Sequence, residues 1–428
     1  MTNVSSWVES ANDSGTGFPI QNLPYTLFRT PTLKLPSLGV GIGDKILDLR
    51  RCADAGLLAS LPLETQDACR AFCMNGLMAL GTAHWTGLRA RIVELLGTTT
   101  EHWRSNRQAI EPLLTPMAQA ELLVPANIRN YTDFYASIHH AANVGRIFRP
   151  EQPLLPNYKY MPVAYHGRAS SIVVSGAPVP RPSGQHKPPG AGAPVFAATE
   201  ALDFELEVGI FIGPGNSLGA PIAIDEAESH IFGLCLLNDW SARDIQSWEY
   251  MPLGPFLSKS FATSISPWVV TIEALEPFRV PFTRSSSDPK PLLYLQPSEE
   301  GSVVFDVTLQ AELTSKQMRD QGYDPLIITQ SNLRHLFWTL PQLVTHHTSN
   351  GCNLLPGDLL ATGTLSGPAT ESRACLLELT QGGVDRLQLP TGERRIFLET
   401  GDELVIRGWC RRDGVPRLSL GECRGIVG

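Results

Sequence analysis

The stretch Asp203-Phe204-Glu205-Leu206-Glu207-Val208 alternates acidic and apolar residues with a period of two. In an extended strand that period sends Asp203, Glu205 and Glu207 to one face and Phe204, Leu206 and Val208 to the other. Three carboxylates in a row on one face repel one another, so the face must be well solvated or hold a cation. A hard, oxygen-seeking ion such as Ca²⁺ or Mg²⁺ would serve. Taken alone, the pattern is more commonly the wet outer face of an antiparallel sheet, and the rest of the chain has to decide between the two.

The chain has 428 residues, too many for one typical core, and this suggests two domains. With 43% hydrophobic and 18% charged residues it reads as a globular protein, and its net charge of −8 offers no basic patch to a nucleic acid or an anionic membrane. Met1 to Trp7 lacks the basic and apolar regions of a secretory signal, and no apolar run approaches the length of a membrane span. The expectation is a soluble, cytoplasmic protein. Its eight cysteines are scattered without a C-x-x-C pair and read as free thiols; Cys69 and Cys73, four apart, would share a helix face.

Short apolar segments broken by Gly and Pro, through residues 42–49, predict small strands in a barrel-like unit. Helical spacing follows over 63–80 and 87–96, and residues 121–128 mark the exit from this N-terminal domain. Strand signals then dominate: 170–175, 202–212, 231–238, 267–272 and 302–313, separated by Gly/Pro-rich loops at 184–194 and 213–221 and a polar loop at 285–301. One helix is predicted over 331–347, with Ser331 as N-cap and Pro341 kinking its interior. No glycine-rich segment leads from a strand into a helix as a phosphate loop would. The larger domain is therefore mainly β, and not a βαβ nucleotide-binding fold.

Asp239 closes the apolar strand at 231–238, where a carboxylate is costly unless paired or ligated; it is either a further metal ligand or the N-cap of the short helix after it. Arg243 and Gln246, three apart, share a helix face and could aim a cation and an amide at one substrate oxygen, or simply be surface groups. Asp133 and Tyr135 precede His139 and His140, and a histidine of near-neutral pKa is a natural general base, although most histidines are structural, as the pair His346-His347 warns. Lys259, amid apolar and turn residues, is either a snorkelling surface lysine or an electrophile. Together these are the parts of a metal-assisted hydrolase.

Several of these segments resemble the fumarylacetoacetate hydrolase family. They are Tyr131-Thr132-Asp133-Phe134-Tyr135, His140-Ala141-Ala142-Asn143-Val144-Gly145, Tyr165-His166-Gly167-Arg168-Ala169-Ser170-Ser171, Leu202-Asp203-Phe204-Glu205-Leu206-Glu207, Asn238-Asp239-Trp240-Ser241-Ala242-Arg243-Asp244-Ile245-Gln246 and Asn350-Gly351-Cys352-Asn353-Leu354. The likeness begins at Phe18-Pro19-Ile20-Gln21-Asn22-Leu23-Pro24-Tyr25 and runs almost to the C-terminus, which favours the two-domain members over shorter ones.

The resemblance implies a small SH3-like barrel domain (residues 1–122), a β-rich metal-binding catalytic domain of the family's own type (123–428), and a homodimer. The implied reaction is metal-dependent hydrolysis of a carbon–carbon bond in 4-fumarylacetoacetate, giving fumarate and acetoacetate, the last step of tyrosine and phenylalanine breakdown. By motif matching, Asp133, Glu205, Glu207 and Asp239 become ligands of Ca²⁺ or Mg²⁺, with Lys259 and Thr263 beside the ion. His140, rather than His139, falls on the catalytic position, and Glu378 matches the carboxylate that orients it. Tyr135, Arg149, Tyr165, Arg243, Gln246, Tyr250 and Thr364 match substrate-contacting positions, and Arg243, Gln246 and Lys259 would stabilise an oxyanion. Asp203 matches no ligand position and is expected to pair with a cation or a backbone amide. Shortening at residues 150–156, the loop at 285–301 and His139 depart from the family pattern. A fumarylpyruvate or acylpyruvate hydrolase, a decarboxylase of a related oxo acid, or a non-enzymatic calcium-binding protein are the competing readings.

Overall fold

The computed structural model describes residues 4–32, 35–298 and 303–428. Met1 to Asn3, the end of the polar loop at 285–301 and Ser302 lie outside the described residues.

The apolar run at 231–238 forms the strand Ile231–Asp239, buried along its whole length, and it is the centre of the molecule. It pairs antiparallel with Leu206–Ile212 on one side and Thr263–Ile265 on the other. The eight-stranded sheet built on it runs Ala164–Gly167, Tyr131–Phe134, Leu359–Ala361, Leu206–Ile212, Ile231–Asp239, Thr263–Ile265, Ile172–Val174, with Val270–Thr271 also paired to the central strand. Its run is apolar without alternation because both faces are covered. Leu234 and Leu236 join one hydrophobic core, whereas Phe232, Cys235 and Leu237 join another.

The first core lies against a five-stranded sheet that includes Thr308–Thr314, Leu326–Asn332 and the long hairpin Glu403–Arg412/Val415–Val427. The second is supplied by the N-terminal part of the chain. There, five short strands form an antiparallel sheet, and Thr82–Leu96 is the longest helix. Trp85 of that helix meets Phe232 of the central strand edge-on, with ring centroids 5.2 Å apart. The protein is thus mainly β, with the central sheet clamped between two apolar layers. No helix among the described residues is long and apolar enough to cross a membrane, and all eight cysteines are free thiols.

Four local expectations are corrected. The helix expected over 331–347 does not form: Ser331 lies within the strand Leu326–Asn332, a 3₁₀ turn Leu333–His335 follows, and the helix is Leu340–Thr348. Thr339 and Gln342 form a capping box there, and Pro341 sits in the first turn, where its missing N–H costs nothing. The helical spacing of Leu333, Leu336, Phe337 and Leu340 arises because strand end, turn and helix bury the same side in succession. Residues 63–80 form two helices, Leu63–Cys69 and Asn75–Met78, so Cys69 and Cys73 share no helix face. The run at 302–313 serves two sheets, Val303–Phe305 in one and Thr308–Thr314 in the other. The run at 202–212 is broken after Asp203 into Leu202–Asp203 and Leu206–Ile212.

Candidate active site

Strand register assembles the acidic cluster. Residues directly opposite on paired strands share a sheet face. Glu207 lies opposite Leu237, Gly209 opposite both Cys235 and Ala361, and Ala361 opposite Asp133. Two residues beyond Leu237, Asp239 lies opposite Thr263, and Asp133 lies opposite Tyr165. Asp133, Glu207, Asp239, Thr263 and Tyr165 therefore emerge on one face of the sheet. Glu205, in the break between two strands, is turned to the same point, its amide held by Asn238 Oδ1 at 3.0 Å.

The result is a buried knot of charge. One carboxylate oxygen from each of Asp133, Glu205, Glu207 and Asp239 lies within 4.8 Å of the others, and none of the four residues is more than 5% exposed. A solvated face is thereby excluded as the reason for the alternating acids. Lys259, only 5% exposed, is no surface lysine: its Nζ donates to Glu205 Oε2 at 2.5 Å and to Asp239 Oδ2 at 2.7 Å. Tyr165 Oη donates to Asp239 Oδ2 at 2.6 Å, and Thr263 Oγ1 to Asp239 Oδ1 at 3.2 Å. Asp239 is not the cap of the helix Arg243–Glu249, whose N-cap is Ala242.

The Lys259 ammonium and the Arg243 guanidinium beside Glu205 do not balance four carboxylates. Among the described residues, both oxygens of Glu207 and Oδ1 of Asp133 are buried without a hydrogen-bond partner. Burial pushes both carboxyls well above the usual carboxylate range, and the neighbouring carboxylates, Asp239 for Asp133 and Asp133 for Glu207, push them further. Burial would raise Glu205 too, but Lys259, Arg243 and His140 outweigh it and hold this carboxyl below its ordinary value. Bare, buried, oxygen-only donors of this number fit a hard divalent ion.

Beside the cluster stands a histidine–carboxylate pair. His140, on the helix Ile138–Phe148, places Nδ1 2.6 Å from Glu378 Oε2. Glu378 also accepts from Ser366 Oγ at 2.7 Å and from Asn143 Nδ2 at 2.8 Å, and the Cys375 thiol lies 3.2 Å from it. Burial opposes the charge on Glu378, yet the His140 ring and these donors hold its carboxyl at about 2. His139, one residue earlier, turns away to meet His335 edge-on at 6.1 Å. His346 and His347 bond to Tyr294 and Thr132 and are structural.

Arg243 is 6% exposed; its Nη1 lies 2.9 Å from Glu205 Oε1 and 3.1 Å from Gln246 Oε1, while Nη2 is buried without a partner among the described residues. Tyr135 packs edge-on to the His140 ring at 5.1 Å, and Arg149, whose Nε is likewise unpartnered, lies close enough to oppose the rise that burial imposes on the Tyr135 phenol. Tyr250 follows the helix that carries Arg243 and Gln246. Thr364 is buried where the chain leaves Leu359–Ala361. Asn143, Ser366 and Cys375 were not singled out from sequence: Asn143 carried a signal, one helical turn from His140, whereas the other two carried none.

A strand-built acidic cluster beside a histidine–carboxylate pair, on this fold, defines a hydrolase of the fumarylacetoacetate hydrolase class. The fumarylacetoacetate hydrolase of psychrophilic Exiguobacterium antarcticum shares the fold, with a TM-score of 0.51, 15% sequence identity and coverage of 95% of this chain and 99% of that one. The family model "Fumarylacetoacetate (FAA) hydrolase C-terminal" matches residues 129–427, and "Fumarylacetoacetase N-terminal" matches residues 21–125. Fumarylacetoacetase of Bos taurus is 47% identical over 425 residues, covering 99% of this chain and 98% of that one. That of Oryza sativa subsp. japonica is 45% identical over 428 residues, covering 99% and 97%, and that of Homo sapiens 46% over 425 residues, covering 99% and 98%. The chain belongs to the fumarylacetoacetase family.

Proposed function

We propose that this chain hydrolyses the carbon–carbon bond of 4-fumarylacetoacetate to fumarate and acetoacetate, with Ca²⁺ or Mg²⁺ held by Asp133, Glu205, Glu207 and Asp239. The observation that carries the metal requirement is the bare pair of oxygens on buried Glu207. Lys259 and Thr263 order Asp239 and Glu205 around the same point. When bound, the ion supplies Lewis-acid polarisation and a template for the dicarbonyl end of the substrate.

The chain's own groups do the rest. Glu378 holds Nδ1 of His140 and so leaves Nε2 as the site that takes a proton from water. Water oxygen bonds to the carbonyl carbon on the fumaryl side. The carbon–carbon bond then breaks, its electron pair leaving as the acetoacetate enolate, which is protonated by the His140 imidazolium. Arg243 with its free Nη2, together with Gln246 and Lys259, stabilises the oxyanion, a role worth roughly 3–4 kcal/mol per donor. Arg149, Tyr135 and Tyr250 grip a terminal carboxylate, and Tyr165 and Thr364 line the pocket.

The same reading includes a cytoplasmic homodimer, with the SH3-like unit ending at residue 122. Trp248, Met251, Leu253, Phe256 and Leu257, exposed around the loop between the Arg243 helix and Lys259, are the apolar surface a second copy would cover, and sedimentation at micromolar concentration reads the state. The deciding experiment is chelator-treated protein mixed with 4-fumarylacetoacetate and followed by ultraviolet absorbance. Turnover is expected only once Ca²⁺ or Mg²⁺ is restored. Undiminished turnover after chelation overturns the metal, and no turnover under any condition overturns the substrate.

A further inference from the structure

Asp203 shares the alternation of Glu205 and Glu207 but lies outside their cluster. It is wholly buried, and its carboxylate accepts four hydrogen bonds. Oδ1 accepts from the amides of Phe204 at 2.8 Å and Leu376 at 2.7 Å. Oδ2 accepts from the amide of Leu377 at 3.0 Å and from Arg243 Nε at 2.9 Å. Leu376 and Leu377 open the short helix Leu376–Leu379, whose third residue is Glu378. One carboxylate therefore ties the turn that carries Glu378, and through it the His140 ring, to the guanidinium that reaches Glu205 and Gln246.

We propose that Asp203 is a positioning residue that fixes the histidine–carboxylate half of the site against the Arg243–Glu205 half, acting through both and touching no substrate. This rests on the functional reading above. Arg243 makes bonds on two sides of one planar fork, so its free Nη2 can only be aimed while Nε and Nη1 are both held. The backbone break after Asp203 has a purpose in this light: a regular strand would carry Asp203 to the face of Glu205 and Glu207, whereas the break gives it separate partners.

Asp203→Asn tests this with nearly unchanged volume. All four partners of the carboxylate are donors, so in either orientation the new amide sets its NH₂ against two of them, releasing either Arg243 or the Leu376 amide. On 4-fumarylacetoacetate, kcat is expected to fall at least tenfold with KM changed less than threefold and the circular dichroism spectrum retained. In an Arg243→Lys or a Glu378→Gln background, the same substitution should cost less than in the wild type. If D203N does not yield folded protein, Asp203→Ser, whose hydroxyl still accepts amide bonds, takes its place. Wild-type kcat in the variant, or full multiplicativity with both backgrounds, overturns the proposal. A wild-type chain inactive on 4-fumarylacetoacetate instead overturns the functional reading. Asp203 is then judged by a crystal structure of the variant: displacement of Arg243 or of the Leu376–Leu379 turn supports the proposal, and both in place overturns it.

Discussion

At the scale of single residues, the division of labour among six acids is set by what surrounds each one. Asp203 has four donors, Glu378 has a histidine and three further donors, and Glu207 has none among the described residues. A buried carboxylate without donors is tolerable only protonated or beside a cation. Ion binding should therefore expel protons from Asp133 and Glu207, whose carboxyls titrate well above the usual range without it. Affinity should rise with pH, and calorimetry in buffers of different ionisation enthalpy should read proton release on Mg²⁺ or Ca²⁺ binding; pH-independent affinity would contradict this. Glu207→Gln should weaken that binding at least tenfold, read by the same titration. His140→Ala should leave metal affinity intact and lower kcat by about 10²–10⁴.

At the scale of elements, the site depends on how strands end. The chain leaves Leu359–Ala361 through Gly363, at φ +74°, where an added Cβ would lie 2.1 Å from the Phe134 carbonyl oxygen. That turn sets Thr364 and the segment leading to Ser366 against the strand that bears Asp133. Gly363→Ala should cost about 2–3 kcal/mol, from the left-handed backbone and the clash together. Denaturant unfolding would show the loss, and an unchanged midpoint would mean the turn relaxes freely. Element type was readable where a pattern was local, as in Ile231–Asp239. It was misread at 331–347, where three elements bury one side in turn and imitate a single amphipathic helix, although the capping box at Thr339 and Gln342 marked the true start.

For the whole molecule, the N-terminal layer covers Phe211, Phe232, Leu237 and Leu359 of the sheet that bears the site. Residues 123–428 alone should thus be insoluble or molten, checked by expression and near-ultraviolet dichroism; a soluble, cooperatively melting fragment would show that the cover is dispensable. Phe232→Ala in the full chain should cost about 3–5 kcal/mol for the same reason.

The sequence by itself determined the hydrolase family, the mainly β character and the candidate groups, because alternation, apolar runs and short motifs are properties of neighbouring residues. The period set Asp203, Glu205 and Glu207 on one face, and the resemblance to the family singled out Glu205 and Glu207 among them as ligands. The tertiary structure alone decided that these acids are buried rather than wet, that Asp133 reaches them through its pairing with Leu359–Ala361, and that Asp203 parts from them to bind Arg243 and the Glu378 turn. Each of those depends on strand register or a chain break joining residues up to hundreds of positions apart, and no local pattern encodes which distant strand arrives alongside.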